Sequence, residues 1–179
     1  GNTRPTPPPA APPPTPPTTP PVVLPPNPAQ GLDVSLTNTG AAHAAGFTGL
    51  GVTVGVVDSG INRTHPALAG RVLHNLNYVS SPPNNLAVDD VVGHGTAVSQ
   101  ILAGKPFGTW PGGIAPGANL VSARIISDQS PTDDGSGNGN QVNGALGLAP
   151  IHRDLIARGV RIMNNSWGGL YWTRPTATA

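Results

Sequence analysis

The 179-residue chain contains no cysteine and no glutamate, and Lys105 is its only lysine. Without cysteine there are no disulfides and no thiolate metal sites, and the redox compartment stays open. The Glu–Lys pairing that solubilises long exposed helices has no residues to draw on. Charged side chains make up 9% of the chain, against roughly a quarter in an average globular protein. Nine basic and eight acidic groups leave a net charge of +1. Nucleic-acid affinity comes mostly from a surplus of basic side chains meeting phosphate, so this balance speaks against a nucleic-acid partner. No apolar run approaches the roughly 18 residues needed to cross a bilayer, so the chain carries no transmembrane segment of its own. It shows no signal peptide, but it begins with Gly1 rather than Met, and its start says nothing about export.

What is abundant is glycine (24) and proline (23). Fourteen of the prolines fall between Pro5 and Pro28, and the other nine are spread over the rest of the chain. The first segment, 1–31, is a Pro/Thr/Ala tract whose one charge is Arg4 and whose apolar residues are essentially Val22, Val23 and Leu24. It cannot bury enough surface to offset its ordering entropy, and it reads as a disordered, polyproline-II-rich linker. A ligand for a PxxP-binding groove is the sharper alternative, but such motifs arise by chance in any proline tract. Residues 32–179 read as an ordinary domain.

Within that domain, Val52 to Val57 is short, β-branched and apolar on both faces, the pattern of a central parallel strand. It ends at Asp58-Ser59-Gly60, which places an acid at the carboxyl end of a buried strand, where open α/β sheets keep their chemistry. Arg71 to Ser80 suggests a shorter strand, Asn119 to Ile126 a third, and Val160 to Asn164 a fourth. Gly93-His94-Gly95-Thr96 leads into a short helix with Val98, Ile101 and Leu102 as its apolar face and Gly104 as its cap. A Gly-rich loop spans Ser127 to Asn140. A helical stretch then runs from about Gln141 to Arg158, with a kink or interruption expected at Pro150 and closure at Gly159. Strands alternating with helices predict an α/β fold with a parallel sheet and right-handed crossovers. Gly49, Gly51 and Gly55 imitate a dinucleotide fingerprint, but they precede and enter the strand, whereas that fingerprint follows one.

Asp58 and His94 each sit in a glycine-flanked turn, 36 residues apart, within VVDSG and GHGTAVSQILAG. These pieces resemble two signatures of the subtilisin-like serine peptidases, in the right order and with the right flanking elements. Gly112 to Ala118 is similar to that family's G-x-A-P-x-A turn, and Asn164 to Gly168 to its N-x-S-x-G strand end. The resemblance covers about Gly31 to Gly169. It implies a partial doubly wound parallel sheet, the N-terminal half of a subtilisin-like fold. It also implies His94 as general base and then general acid, with Asp58 holding it in the productive tautomer. An extended peptide or protein substrate would lie between Gly135, Ser136 and Gly137 on one side and Ser166, Trp167 and Gly168 on the other, with Trp167 lining a side-chain pocket.

One departure matters. The family places its nucleophile downstream, in a G-T-S-x-A-x-P context, together with an oxyanion-stabilising Asn, and GTS occurs nowhere in these 179 residues. Ser59 and Ser166 read as a structural hydrogen-bonding residue and a substrate contact rather than as nucleophiles. The expectation is therefore a serine endopeptidase, secreted or at the cell surface, of which this chain is a fragment lacking the nucleophile. Its tail would serve as a tether, as in some bacterial surface or autotransporter subtilases. An inactive peptide-binding module or remnant is the alternative, and a structural spacer built on the proline tract a third. His43, His65, His74 and His152 lack ligand-like spacing, His65 reading as a turn element. Asp128, Asp133 and Asp134 lie among Gly and Asn, so calcium is an open alternative, although the EF-hand spacing is missing and such residues also simply favour turns. No cofactor is required, and nothing in the sequence fixes an oligomeric state. Without later strands, the 160–164 strand is expected to leave an open, association-prone edge.

Overall fold

A computed structural model describes residues 32–128 and 147–167. The proline tract, the loop containing Gly135, Ser136 and Gly137, and everything from Gly168 onward lie outside the described residues. In chain order the elements are α1 (Leu32–Leu36), α2 (Thr39–Ala44), β1 (Thr53–Asp58), β2 (Val72–Asn77), α3 (His94–Ala103), β3 (Asn119–Arg124), α4 (Leu148–Ala157) and β4 (Ile162–Asn164).

The four strands form one parallel sheet in the order β2-β3-β1-β4. β1 is central, and residues Val54 to Asp58 are all buried, as its two-faced apolar pattern requires. Alternation then assigns the faces. Val54 and Val56 join Leu120 and Leu68 in one cluster, with Val98 and Leu102 of α3 packed against it. Val57 joins Val121, Ala123, Ile151 and Leu155 in another, on the α4 side. Helices thus cover both faces, the doubly wound arrangement. Each fully buried Val, Leu or Ile contributes about 1.5–3 kcal/mol.

Three local expectations need correction. The buried face of α3 is made of small residues, Gly95, Thr96, Ser99 and Ala103, while Ile101 is 54% exposed. Val98 and Leu102 of the expected face are half-buried against the sheet cluster, so of the three expected apolar residues it is Ile101 that turns to solvent. Of the helical stretch expected from Gln141, residues 141–146 lie outside the described residues, and the helix that is seen, α4, starts at Leu148 and is not kinked or interrupted at Pro150. That proline occupies the first turn, where a missing N–H has no intrahelical partner to lose. The helices α1 and α2 were not anticipated. α1 (LDVSL) spans five residues, too few to show a helical period, and α2 (TGAAHA) is Ala/Gly-rich with no buried residue.

The end of α4 does follow the sequence. Gly159 has φ 79°, its N–H donates to the Ile156 carbonyl, and the Val160 N–H donates to that of Leu155. This is the paired hydrogen bonding of a Schellman motif, with Leu155 and Val160 sharing one cluster. The chain is thereby turned directly into β4 beside β1.

Candidate active site

The site is built at the carboxyl edge of the sheet, where strand ends and helix starts meet. Asp58 has the same parity as Val54 and Val56, so its side chain falls on the α3 face. It is 0% exposed. His94 is the first residue of α3, and its imidazole is about half exposed. His94 Nδ1 stands 2.8 Å from Asp58 Oδ1. An ionised carboxylate only accepts, so Nδ1 carries the hydrogen, and Nε2 is left with a lone pair. The same Oδ1 accepts the Ser59 N–H at 2.7 Å. Asp58 Oδ2 is buried without a hydrogen-bond partner among the described residues.

The close approach of the two turns explains Gly95. A Cβ there would collide with the Gly60 carbonyl oxygen and press within 3.1 Å of Asp58 Cβ. Gly93 serves a different purpose. Nothing crowds it, but its φ of 87° is one that favours glycine. Gly95 thus lets the two turns approach, Gly93 shapes the turn, and α3 begins at His94 itself.

Sequence reasoning passed over Asp90. Its Oδ1 accepts the Ser59 hydroxyl at 2.9 Å and the Gly93 N–H at 2.8 Å. Its Oδ2 accepts the Thr96 N–H at 2.9 Å and the Thr96 hydroxyl at 2.5 Å. A signal existed: an Asp just ahead of a helix start, where a carboxylate satisfies free N–H groups and favours the positive end of the helix dipole. The loop bearing Asp90 is fastened from beneath. Buried Arg124, at the end of β3, donates to the Val88 carbonyl at 2.7 Å and the Asn85 carbonyl at 3.2 Å, and pairs with Asp128 at 2.5 Å. Asp89 is held by Arg63 and by Asn75 of β2. The hydrogen bond from Arg63 holds the Asp89 carboxyl below the usual carboxylate range, against the opposing effect of burial.

Of the expected substrate contacts, Gly135, Ser136, Gly137 and Gly168 lie outside the described residues. Ser166 is exposed, and its Oγ accepts from Asn164 Nδ2 at 2.8 Å. Trp167 is partly buried, and its indole N–H donates to the Val57 carbonyl at 2.7 Å. The segment after β4 is therefore pinned beside the residue that precedes Asp58. His65 sits in a turn with Nδ1 accepting the Ala67 N–H, and His43 Nε2 lies 2.8 Å from the Ile114 carbonyl oxygen. No group of three metal-ligating side chains occurs among the described residues. Asp128 is occupied by Arg124 and the Asn85 N–H.

The sequence profile of the subtilase family (peptidase S8) matches residues 49–179. An extracellular serine protease of Serratia marcescens is 30% identical over 131 residues, which are 71% of this chain and 10% of that protein. Fervidolysin of Fervidobacterium pennivorans is 32% identical over 127 residues, 68% of this chain and 17% of that protein. The chain thus spans between a tenth and a fifth of the length of these relatives. Among solved structures, the MycP3 protease from the type VII (ESX-3) secretion system superposes with a TM-score of 0.50 at 25% identity, over 84% of this chain and 38% of that one. With an Asp and a His meeting at the carboxyl edge of a parallel sheet, and with this match over most of its length, the chain belongs to the subtilase family.

Proposed function

We propose that the protein is a serine endopeptidase acting on extended polypeptide, with Asp58 and His94 as two members of its triad. The observation that carries this is the 2.8 Å contact between a fully buried carboxylate and a half-exposed imidazole, which engages Nδ1 and leaves Nε2 as the base. His94 Nε2 takes the proton of a serine hydroxyl as its oxygen attacks the scissile carbonyl carbon. Asp58 stabilises the imidazolium formed. His94 then returns the proton to the leaving amine, and an acyl-enzyme remains. Water, deprotonated by the same Nε2, releases the acid and restores the serine. The chemistry requires no cofactor. On this reading the serine and its oxyanion-stabilising Asn lie beyond Ala179. The substrate strand runs between Gly135-Ser136-Gly137 and Ser166-Trp167-Gly168, gaining main-chain hydrogen bonds. Relatives named as extracellular proteases support action outside the cell, with residues 1–31 as a spacer.

The test uses the full-length protein against casein and a short peptide anilide. Wild type is expected to cleave both and to be labelled by a fluorophosphonate, and His94→Ala to lose roughly 10⁴-fold or more in kcat. Turnover unaffected by His94→Ala would overturn the assignment. A wild-type protein that binds peptides without cleavage or labelling would instead be a peptide-binding module.

A further inference from the structure

The geometry points to Asp90 as a positioning residue for the His94 imidazole, acting through the backbone of two turns rather than on substrate. This rests on the reading of Asp58 and His94 as a peptidase pair. The Asp90 carboxylate takes four hydrogen bonds from three residues, Ser59, Gly93 and Thr96. Ser59 directly follows the proposed orienting acid. Gly93 directly precedes the proposed base, and Thr96 lies in the first turn of its helix. One side chain therefore ties the turn that carries the acid to the turn that carries the base. The tie is doubled on both sides. The Ser59 hydroxyl also accepts the Gly95 N–H at 2.9 Å, and the Thr96 hydroxyl also accepts the Asn62 N–H at 2.9 Å. The imidazole's placement on Asp58 Oδ1 therefore depends on how the two turns are held.

Among the described residues both Asp90 oxygens face only donors, and two of those donors are backbone N–H groups that cannot turn round. An amide at this position must set its NH₂ against one of them, whichever way it is flipped, so Asp90→Asn opens one side of the tie at almost no change in size. A shift of about 1 Å in a catalytic group costs on the order of 100-fold in rate. Peptide binding relies on other backbone segments, so the loss belongs in kcat.

The experiment measures kcat and KM on a peptide anilide for the full-length wild type, Asp90→Asn and His94→Ala, together with near-UV circular dichroism and melting temperature. The expected result is a kcat reduced about 10- to 100-fold for Asp90→Asn, with KM within about twofold and the fold intact at the assay temperature. A wild-type kcat in Asp90→Asn, beside an inactive His94→Ala, overturns the role of Asp90 alone. A loss that merely tracks the unfolded fraction, or that appears in KM, also overturns it. Full activity in His94→Ala overturns the underlying peptidase reading, and the role of Asp90 with it. If Asp90→Asn does not fold, Ser59→Ala decides, since it removes one hydroxyl from the same tie. A several-fold fall in kcat at constant KM supports the role, and a wild-type kcat in the folded variant overturns it.

Discussion

At the scale of single residues, the site is governed by contact distances that leave no slack. A methyl group added at Gly95 meets the Gly60 carbonyl oxygen, which is backbone and cannot swing away. Gly95→Ala is therefore expected to destabilise by about 3 kcal/mol, read from chemical denaturation. The Arg63–Asp89 pair makes a gentler case. Arg63 is about half exposed, so the pair contributes no more than about 1 kcal/mol. Because the folded-state Asp89 value is depressed, that contribution is present at neutral pH and is lost as the pH falls through the depressed value. Arg63→Ala should lower stability near pH 7 and make no difference once Asp89 is protonated in both folded and unfolded states. Denaturation curves of both proteins at the two pH values check the sign. Asp58 and His94 were legible in the sequence because glycine-flanked turns at a strand end and a helix start are local patterns. Asp90 has a local signal as an Asp ahead of a helix start, but its bond to Ser59, 31 positions away, is no local pattern.

At the scale of elements, the two sheet-covering helices are read with different success. α4 has the ordinary signature: Ile151 and Leu155 buried four residues apart, and Gly159 closing the last turn. Leu155→Ala should cost about 2–5 kcal/mol, and Ile156→Ala, next to it but 61% exposed, about 0.5 kcal/mol or less. Urea midpoints of the two variants test the assigned face. α3 follows the usual rule only in part, since Val98 and Leu102 are half-buried against the core while Ile101 is exposed and the fully buried positions are Gly95, Thr96, Ser99 and Ala103. Hydrophobic periodicity assumes that the most apolar face is the buried one. Here the first turn carries a residue that must reach the strand end, and the close approach at Gly95 leaves no room for a side chain there.

At the scale of the whole molecule, the sheet order places β1 between β3 and β4 and leaves β4 paired on one side only among the described residues. Ile162 on that strand is 55% exposed. A polypeptide of residues 32–179 expressed by itself is expected to self-associate or to melt without a sharp transition. Light scattering and a thermal scan give the answer, and a monomer with a cooperative transition would count against it.

The sequence alone determined the parallel α/β character, the strands near 53–58, 72–77, 119–124 and 162–164, and the two turns presenting Asp58 and His94. Each of these depends on periodicity, strand burial or capping over fewer than a dozen neighbouring residues. Tertiary structure alone decided which face of α3 is buried, that Asp90 joins the two turns, and that the Trp167 indole bonds the Val57 carbonyl across 110 residues. Those outcomes follow from which distant segments the folded sheet brings within hydrogen-bonding reach, and contact between distant segments leaves no periodic trace in the chain.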